Sequence, residues 1–238
     1  MQLYATSANL KIMSIPGPTL TRVHSTVTLR QWQPAAWEDY VAYRDDLSLE
    51  RVRLFFNQGY FWIDMGSEGI NHARVNELFT LLIFTWFSRF TDTKADLLGG
   101  CLLEKPKKQA ASPDLVLYLG EEVPRWQAGE PRRIDLERWR VPDLVGEVSD
   151  TTLADDLDEK KKLYADLGIP EYWVVNISGK QVLAFLLQED GKYQQCSHSI
   201  ALKGLEIALL EKALARLDEE TNVSSALWFG QQLVNLKY

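Results

Sequence analysis

The chain has 238 residues, a formal net charge of −7, a pI near 5.1 and a 46% hydrophobic fraction, enough apolar material for one sizeable α/β core with additions. That acidic balance excludes broad, non-specific coating of nucleic acid while leaving room for a local basic patch. Two cysteines, Cys101 and Cys196, match neither a disulfide framework nor a zinc cluster, no stretch from Met1 to Met13 reads as a signal peptide, and the longest apolar run, Leu78 to Phe87, is too short to span a bilayer, so a soluble, cytoplasmic protein is expected.

In chain order, residues 1–33 show little periodicity and hold Pro16-Gly17-Pro18, which reads as a loosely packed arm. Pro34 to Leu47 has helical spacing, with Trp37, Tyr40, Val41 and Tyr43 inward. Val52 to Phe56 and Tyr60 to Met65 flank Asn57-Gln58-Gly59 and predict a β-hairpin. Asn71 to Phe90 predicts a long helix, apolar enough to be largely buried. Asp96 to Leu103 reads as a strand interrupted by Gly99-Gly100. Leu115 to Leu119 is a clearer strand, and its alternation puts Asp114, Val116 and Tyr118 on one face. Residues 120–141 form a polar insertion with Arg125, Arg132, Arg133, Arg138 and Arg140 beside Trp126 and Trp139. Interleaved arginine and aromatic side chains suit phosphate contact and base stacking, or a solvated loop whose tryptophans pack back onto the body.

The densest signal follows. Leu144 to Ser149 is an apolar run with one carboxylate, Glu147, inside it, and a helical segment from Leu153 stops at Gly168 before a second apolar run, Tyr172 to Val175. This is a strand–helix–strand unit. At about 100° per residue, Leu153, Leu157, Leu163, Tyr164 and Leu167 share one arc, and Lys160 falls within roughly 10° of its centre. Lys161 and Lys162 lie to the side and the back. A lysine on the core side needs a partner, and Glu147 is the natural one; the other reading is a lysine that snorkels its head to water. Downstream, Gln181 to Leu187 and Tyr193 to Ser197 predict a second hairpin, and Gly204 to Glu220 an amphipathic helix. The remaining tail is apolar enough to dock, or to meet a second copy.

Three acids sit near strands: Asp114, Asp143 and Glu147. Asp143 and Glu147 face the same way on one strand but stand about 13 Å apart, too far to share an ion. A neighbouring strand must therefore supply the second ligand, and Asp114 is the best candidate. The backbone carbonyl of Val148 offers a third oxygen. Such hard oxygen donors suit Mg²⁺ or Mn²⁺, which activates water and polarises phosphoryl oxygens. Lys160 is placed to orient the water or to offset developing charge. The chain has no G-x-S-x-G, no phosphate-cradling Gly loop and no H-E-x-x-H.

The series Pro113-Asp114, Glu147-Val148-Ser149, Asp156-Leu157-x-x-Lys160-x-x-x-Tyr164 and Gly168-Ile169-Pro170-Glu171-Tyr172-Trp173 resembles the Uma2 family of restriction-endonuclease-like proteins, similar to the PD-(D/E)xK nuclease superfamily. The match is sharpest over 142–176 and extends upstream through Asp114 and His72 to the early hairpin. It implies an α/β (α+β) restriction-endonuclease-like core, a mixed sheet flanked by helices, over 34–200. An N-terminal arm, 1–33, precedes it and a C-terminal helical extension, 201–238, follows. The resemblance implies Asp114 and Glu147 as metal-binding acids. Ser149 stands where the superfamily expects the strand lysine, and Lys160 on the next helix takes that part. His72 matches a family histidine and Glu77 suits the acid carried on the first core helix; otherwise they are a helix-start or core residue and a helix-face acid. Tyr164 and Trp173 read as packing residues.

The implied function is a magnesium-dependent DNA endonuclease with catalytic Asp114, Glu147 and Lys160, DNA contacts through Arg125, Arg132 and Arg133, and a homodimeric assembly. The alternative is a nuclease-like fold kept as a DNA-binding or regulatory module without turnover.

Overall fold

The computed structural model describes residues 31–46, 48–49, 52–65, 69–90 and 92–234; residues 1–30 of the expected arm lie outside the described residues. The elements are β1 (Gln33–Pro34), α1 (Trp37–Arg44), β2 (Val52–Asn57), β3 (Tyr60–Met65), α2 (Ile70–Phe90), β4 (Ala95–Leu98), β5 (Leu103–Lys105), β6 (Gln109–Ala111), β7 (Leu115–Leu119), β8 (Ile134–Asp135), β9 (Leu144–Ser149), α3 (Leu153–Leu157), α4 (Glu159–Leu167), β10 (Glu171–Asn176), β11 (Gln181–Leu187), β12 (Tyr193–Cys196), α5 (Ile207–Ala215) and α6 (Asn222–Leu233). Two mixed sheets result, ordered β1-β3-β2-β6-β5-β8 and β12-β11-β10-β9-β7-β4.

The second sheet is the frame for the site. Its strands β9 and β10 are parallel and joined through α3 and α4, while β7 runs antiparallel to β9 on the other side. Every residue of β9 and β10 is buried, as a strand covered on both faces must be. Period-two alternation sorts the two faces. Leu115, Leu117, Leu144 and Val148 join α2, α5 and α6 in one core. Val116, Tyr118 and Val145 face α4 and the β2–β3 hairpin in a second core that includes Phe55, Trp62, Leu163 and Tyr164.

The helices follow from the sequence. Residues 70–90 contain no Gly or Pro, and α2 runs through all of them with Val75, Leu78, Phe79, Leu82, Ile83 and Trp86 buried. α4 ends where Gly168 takes a left-handed φ of 80°, with its N–H on the Ala165 carbonyl and the Ile169 N–H on the Tyr164 carbonyl. The apolar tail docks within the chain. Ala226, Phe229 and Leu233 of α6 enter the α2 core, and Gly230 allows close approach, since a Cβ there would stand 3.3 Å from Thr85 Cγ2.

Three expectations are corrected. Asp96 to Leu103 is not one interrupted strand: β4 pairs with β7, whereas β5 begins at Leu103 in the other sheet, so Gly99-Gly100 carries the chain between sheets. The helix from Leu153 to Leu167 is broken at Asp158, whose φ of −115° and ψ of −85° are not helical. The Gly204 to Glu220 helix is shorter, covering Ile207–Ala215 and a 3₁₀ turn at Arg216–Asp218. No helix among the described residues is long and apolar enough to cross a membrane.

Candidate active site

The antiparallel register brings the two acids together. Leu115 pairs with Gly146 and Val116 with Val145, so one further step sets Asp114 opposite Glu147. Both carboxylates point to the α4 face, where Asp114 is 4% and Glu147 1% exposed. One Asp114 oxygen accepts the Val148 N–H at 2.7 Å and lies 3.3 Å from His72 Nε2, which the first turn of α2 delivers. One Glu147 oxygen accepts the Tyr164 hydroxyl at 2.5 Å.

Lys160 does not snorkel. Its ammonium is 1% exposed, 3.4 Å from Glu147 Oε2 and 2.8 Å from Asp156 Oδ1. It sits over the rings of Phe55 and Trp62, 4.4 and 4.8 Å from their centroids, where the π faces add attraction for a cation. Burial works against the charge, yet Glu147 and Asp156 outweigh it and raise its pKa above the ordinary lysine value.

Arg53, which the sequence reading did not single out, bridges the acids. Its guanidinium is 2.9 Å from Asp114 Oδ1 and 2.7 Å from Glu147 Oε2, and it donates to the Ser112 carbonyl at 3.0 and 2.7 Å. The planar fork thus spans both carboxylates and one carbonyl. A signal for it existed: Arg53 is a charge inside the apolar run Val52 to Phe56, the same anomaly that marks Glu147. Asp156 pairs with Lys160 one helical turn on, and Tyr164, besides packing in the core, donates its hydroxyl to Glu147.

The electrostatics follow from burial and this network. Burial alone would raise the Asp114 pKa, but Arg53, His72 and the Val148 N–H reverse it, to about 2. Burial dominates at Glu147 and, with Asp114 and Asp156 pushing the same way, overcomes Lys160 and Arg53 to raise its pKa to about 7. Three buried carboxylates, Asp114, Glu147 and Asp156, thus share the Arg53 guanidinium and the Lys160 ammonium.

Other expected residues lie elsewhere. Glu77 is exposed and stands about 140° round α2 from His72, so it does not join the cluster. Asp143 ties down the end of β7 instead: it accepts the Leu119 N–H at 2.7 Å and pairs with Arg140 at 2.8 Å. Arg133 is 2.9 Å from Glu104, and Arg125 is 2.8 Å from Asp96. Arg132 lies over Trp126, 6.0 Å from the ring centroid. Trp173 is core, with its indole N–H on Glu171 at 2.6 Å.

The donor set suits a hard divalent ion in kind: two carboxylates within the span of one guanidinium. Among the described residues no cluster of three or more His, Cys, Asp and Glu side chains could hold a metal alone, so the backbone and water must complete any shell. The room between the acids is filled by Arg53, which at 20% exposure is the most open member of the cluster.

The Uma2 family profile, described as "Putative restriction endonuclease", matches residues 37–222. A crystal structure described as a "putative nuclease belonging to DUF820 from Anabaena variabilis ATCC 29413" is similar to this chain at 15% identity and a TM-score of 0.49, covering 76% of this chain and 99% of that one. No curated protein matches. With the profile running from α1 to the start of α6 and so across the whole candidate site, the chain belongs to the Uma2 family of restriction-endonuclease-like proteins.

Proposed function

We propose that the protein hydrolyses phosphodiester bonds of DNA with Mg²⁺ or Mn²⁺ held by Asp114, Glu147 and the Val148 carbonyl. The observation that carries this reading is the convergence of Asp114, Glu147 and Lys160 in one buried cluster, delivered by two adjacent strands and the crossing helix. When bound, such an ion supplies a water of lowered pKa and polarises the phosphoryl oxygens. The chain does the rest. Asp114 is held ionised by its N–H and His72 contacts. Tyr164 fixes the Glu147 carboxylate. Lys160, anchored by Asp156, keeps a positive charge beside Glu147, where it offsets charge developing on the phosphate. Arg53 closes the cluster and must leave to admit ion and substrate. Two copies would serve the two strands of a duplex.

The test is cleavage of plasmid and single-stranded DNA with magnesium, with manganese and with EDTA, alongside calorimetric metal titration. Metal-dependent cleavage lost in Glu147→Ala and Asp114→Asn supports the reading. No cleavage by wild type, or cleavage unchanged in Glu147→Ala, removes it. The bridging Arg53 favours one other reading, a binding module whose cation slot is permanently filled. DNA binding without metal uptake, even in an Arg53 variant, would establish that reading instead.

A further inference from the structure

Outside the acid cluster, a cavity of about 500 Å³ lies between the β4–β5 connection and the 120–141 loop. Its walls include Leu98, Ile134, Trp126 and Trp139, and its charged lining is four arginines, Arg125, Arg132, Arg133 and Arg138, against Glu130 and Asp135. On a chain of net charge −7 this is a local reversal of sign. We propose that this cavity binds one nucleotide unit of a nucleic-acid strand, its base against Trp126 and its phosphate on Arg132.

The tryptophan is built for contact. Trp126 is 58% exposed, yet its indole N–H donates to the Glu130 carbonyl at 2.9 Å. Glu130 also accepts the Gln127 N–H at 3.0 Å and pairs with Arg138, so the turn under the ring is closed by its own bonds. A large exposed aromatic face held in place this way is a ready platform for stacking. Arg132 lies over the same ring, and among the described residues no carboxylate pairs with it. It is therefore the cation of the wall left for an anion. Arg125, on an exposed pair with Asp96, can join it by exchanging partners. The volume suits a small aromatic ligand with a few polar contacts.

The position also matters. Gly99 connects two wall residues, Leu98 and Cys101, through Gly100, and a Cβ on Gly99 would stand 3.5 Å from the Asp114 carbonyl oxygen. The inner wall thus leans on the backbone of a proposed catalytic residue. The inference rests on the nucleic-acid reading for the identity of its ligand, and on none of the metal chemistry.

The experiment is fluorescence anisotropy of a labelled single-stranded oligodeoxynucleotide in EDTA, with the matching duplex and free deoxynucleoside monophosphates as competitors. Trp126→Ala should weaken single-strand binding tenfold or more. Arg132→Ala should reduce the slope of log affinity against log salt by about one. Circular dichroism checks that both variants fold. Competition by a monophosphate at millimolar concentration supports a single-unit site. Binding unaffected by Trp126→Ala, or binding of duplex alone, overturns the proposal. If Trp126-dependent binding is found but wild type cleaves nothing, the hydrolase reading falls and this one stands; cleavage with normal binding in Trp126→Ala gives the reverse.

Discussion

Replacing Arg53 by methionine removes the guanidinium and keeps an apolar stem. Asp114 and Glu147 then face each other across the β7–β9 register with Lys160, His72, the Tyr164 hydroxyl and the Val148 N–H beside them. Breaking a buried ion pair by deleting one partner costs about 3–5 kcal/mol, because the remaining charge stays buried. Arg53 is itself 20% exposed, so water can reach part of the gap, and the low end, about 3 kcal/mol, is expected. For a chain of this size that lowers Tm by roughly 6–12 °C. The assay is thermal unfolding by circular dichroism in EDTA, repeated with manganese. With the guanidinium gone, an ion should occupy the vacated place. At a hundredfold excess over its Kd it returns about 2.7 kcal/mol, nearly the whole loss. Wild type, in which the ion must first displace Arg53, should respond less at the same concentration. An Arg53→Met protein as stable as wild type would refute the bridging role. A destabilised variant that ignores manganese and magnesium would refute the metal reading and leave a purely structural ion network.

Lys160→Met should cost about 3–5 kcal/mol in urea unfolding, since it strands Glu147 and Asp156 without their shared ammonium, whereas Lys162→Met, on the solvent side of α4, should leave the curve unchanged. Tyr164→Phe keeps the ring but leaves Glu147 short of a donor, and should cost about 1–3 kcal/mol by the same measurement. The Asp114 pKa is lowered from 3.8 to about 2 on folding, so its contribution is present above pH 4 and is lost as pH falls through 2. Between pH 5 and pH 2, wild type should therefore lose about 2 kcal/mol more stability than Asp114→Asn, followed by denaturant titration at each pH.

What the sequence displays is the violation of a pattern. Glu147 is legible because a carboxylate interrupts an apolar strand, and Lys160 because helical phase aims it at the core. Both signals are local, and both residues prove fully buried and in contact. Arg53 violates its own strand's pattern as plainly, but its partners lie 94 residues away at Glu147 and beyond Ser112. The docking of the β2–β3 hairpin onto the other sheet's face creates that contact, and no periodicity encodes it. The β5–β6 hairpin is illegible for another reason: its strands have three residues each, and only Pro106, Lys107 and Lys108 join them. The break at Asp158 was invisible because Leu153, Leu157 and Lys160 keep the same helical phase on both sides of it.

The charge balance of the cluster ties these parts together. Asp114, Glu147 and Asp156 carry three potential negative charges in a space where each is at most 4% exposed. Lys160 and Arg53 supply two positive ones. Burial lifts the Glu147 pKa to about 7, with Asp114 and Asp156 adding to it against Lys160 and Arg53. Exchanging the singly charged guanidinium for a doubly charged ion would add one positive charge beside Glu147. The same exchange would restore Glu147 to its ionised form, the form that binds a hard cation. Asp156 matters here despite being no candidate ligand. It fixes the Lys160 ammonium at 2.8 Å. Under the proposed function, the guanidinium and an ion would be alternative partners of one acid pair, the ion the more strongly charged. That difference is what should favour release of Arg53 when an ion arrives.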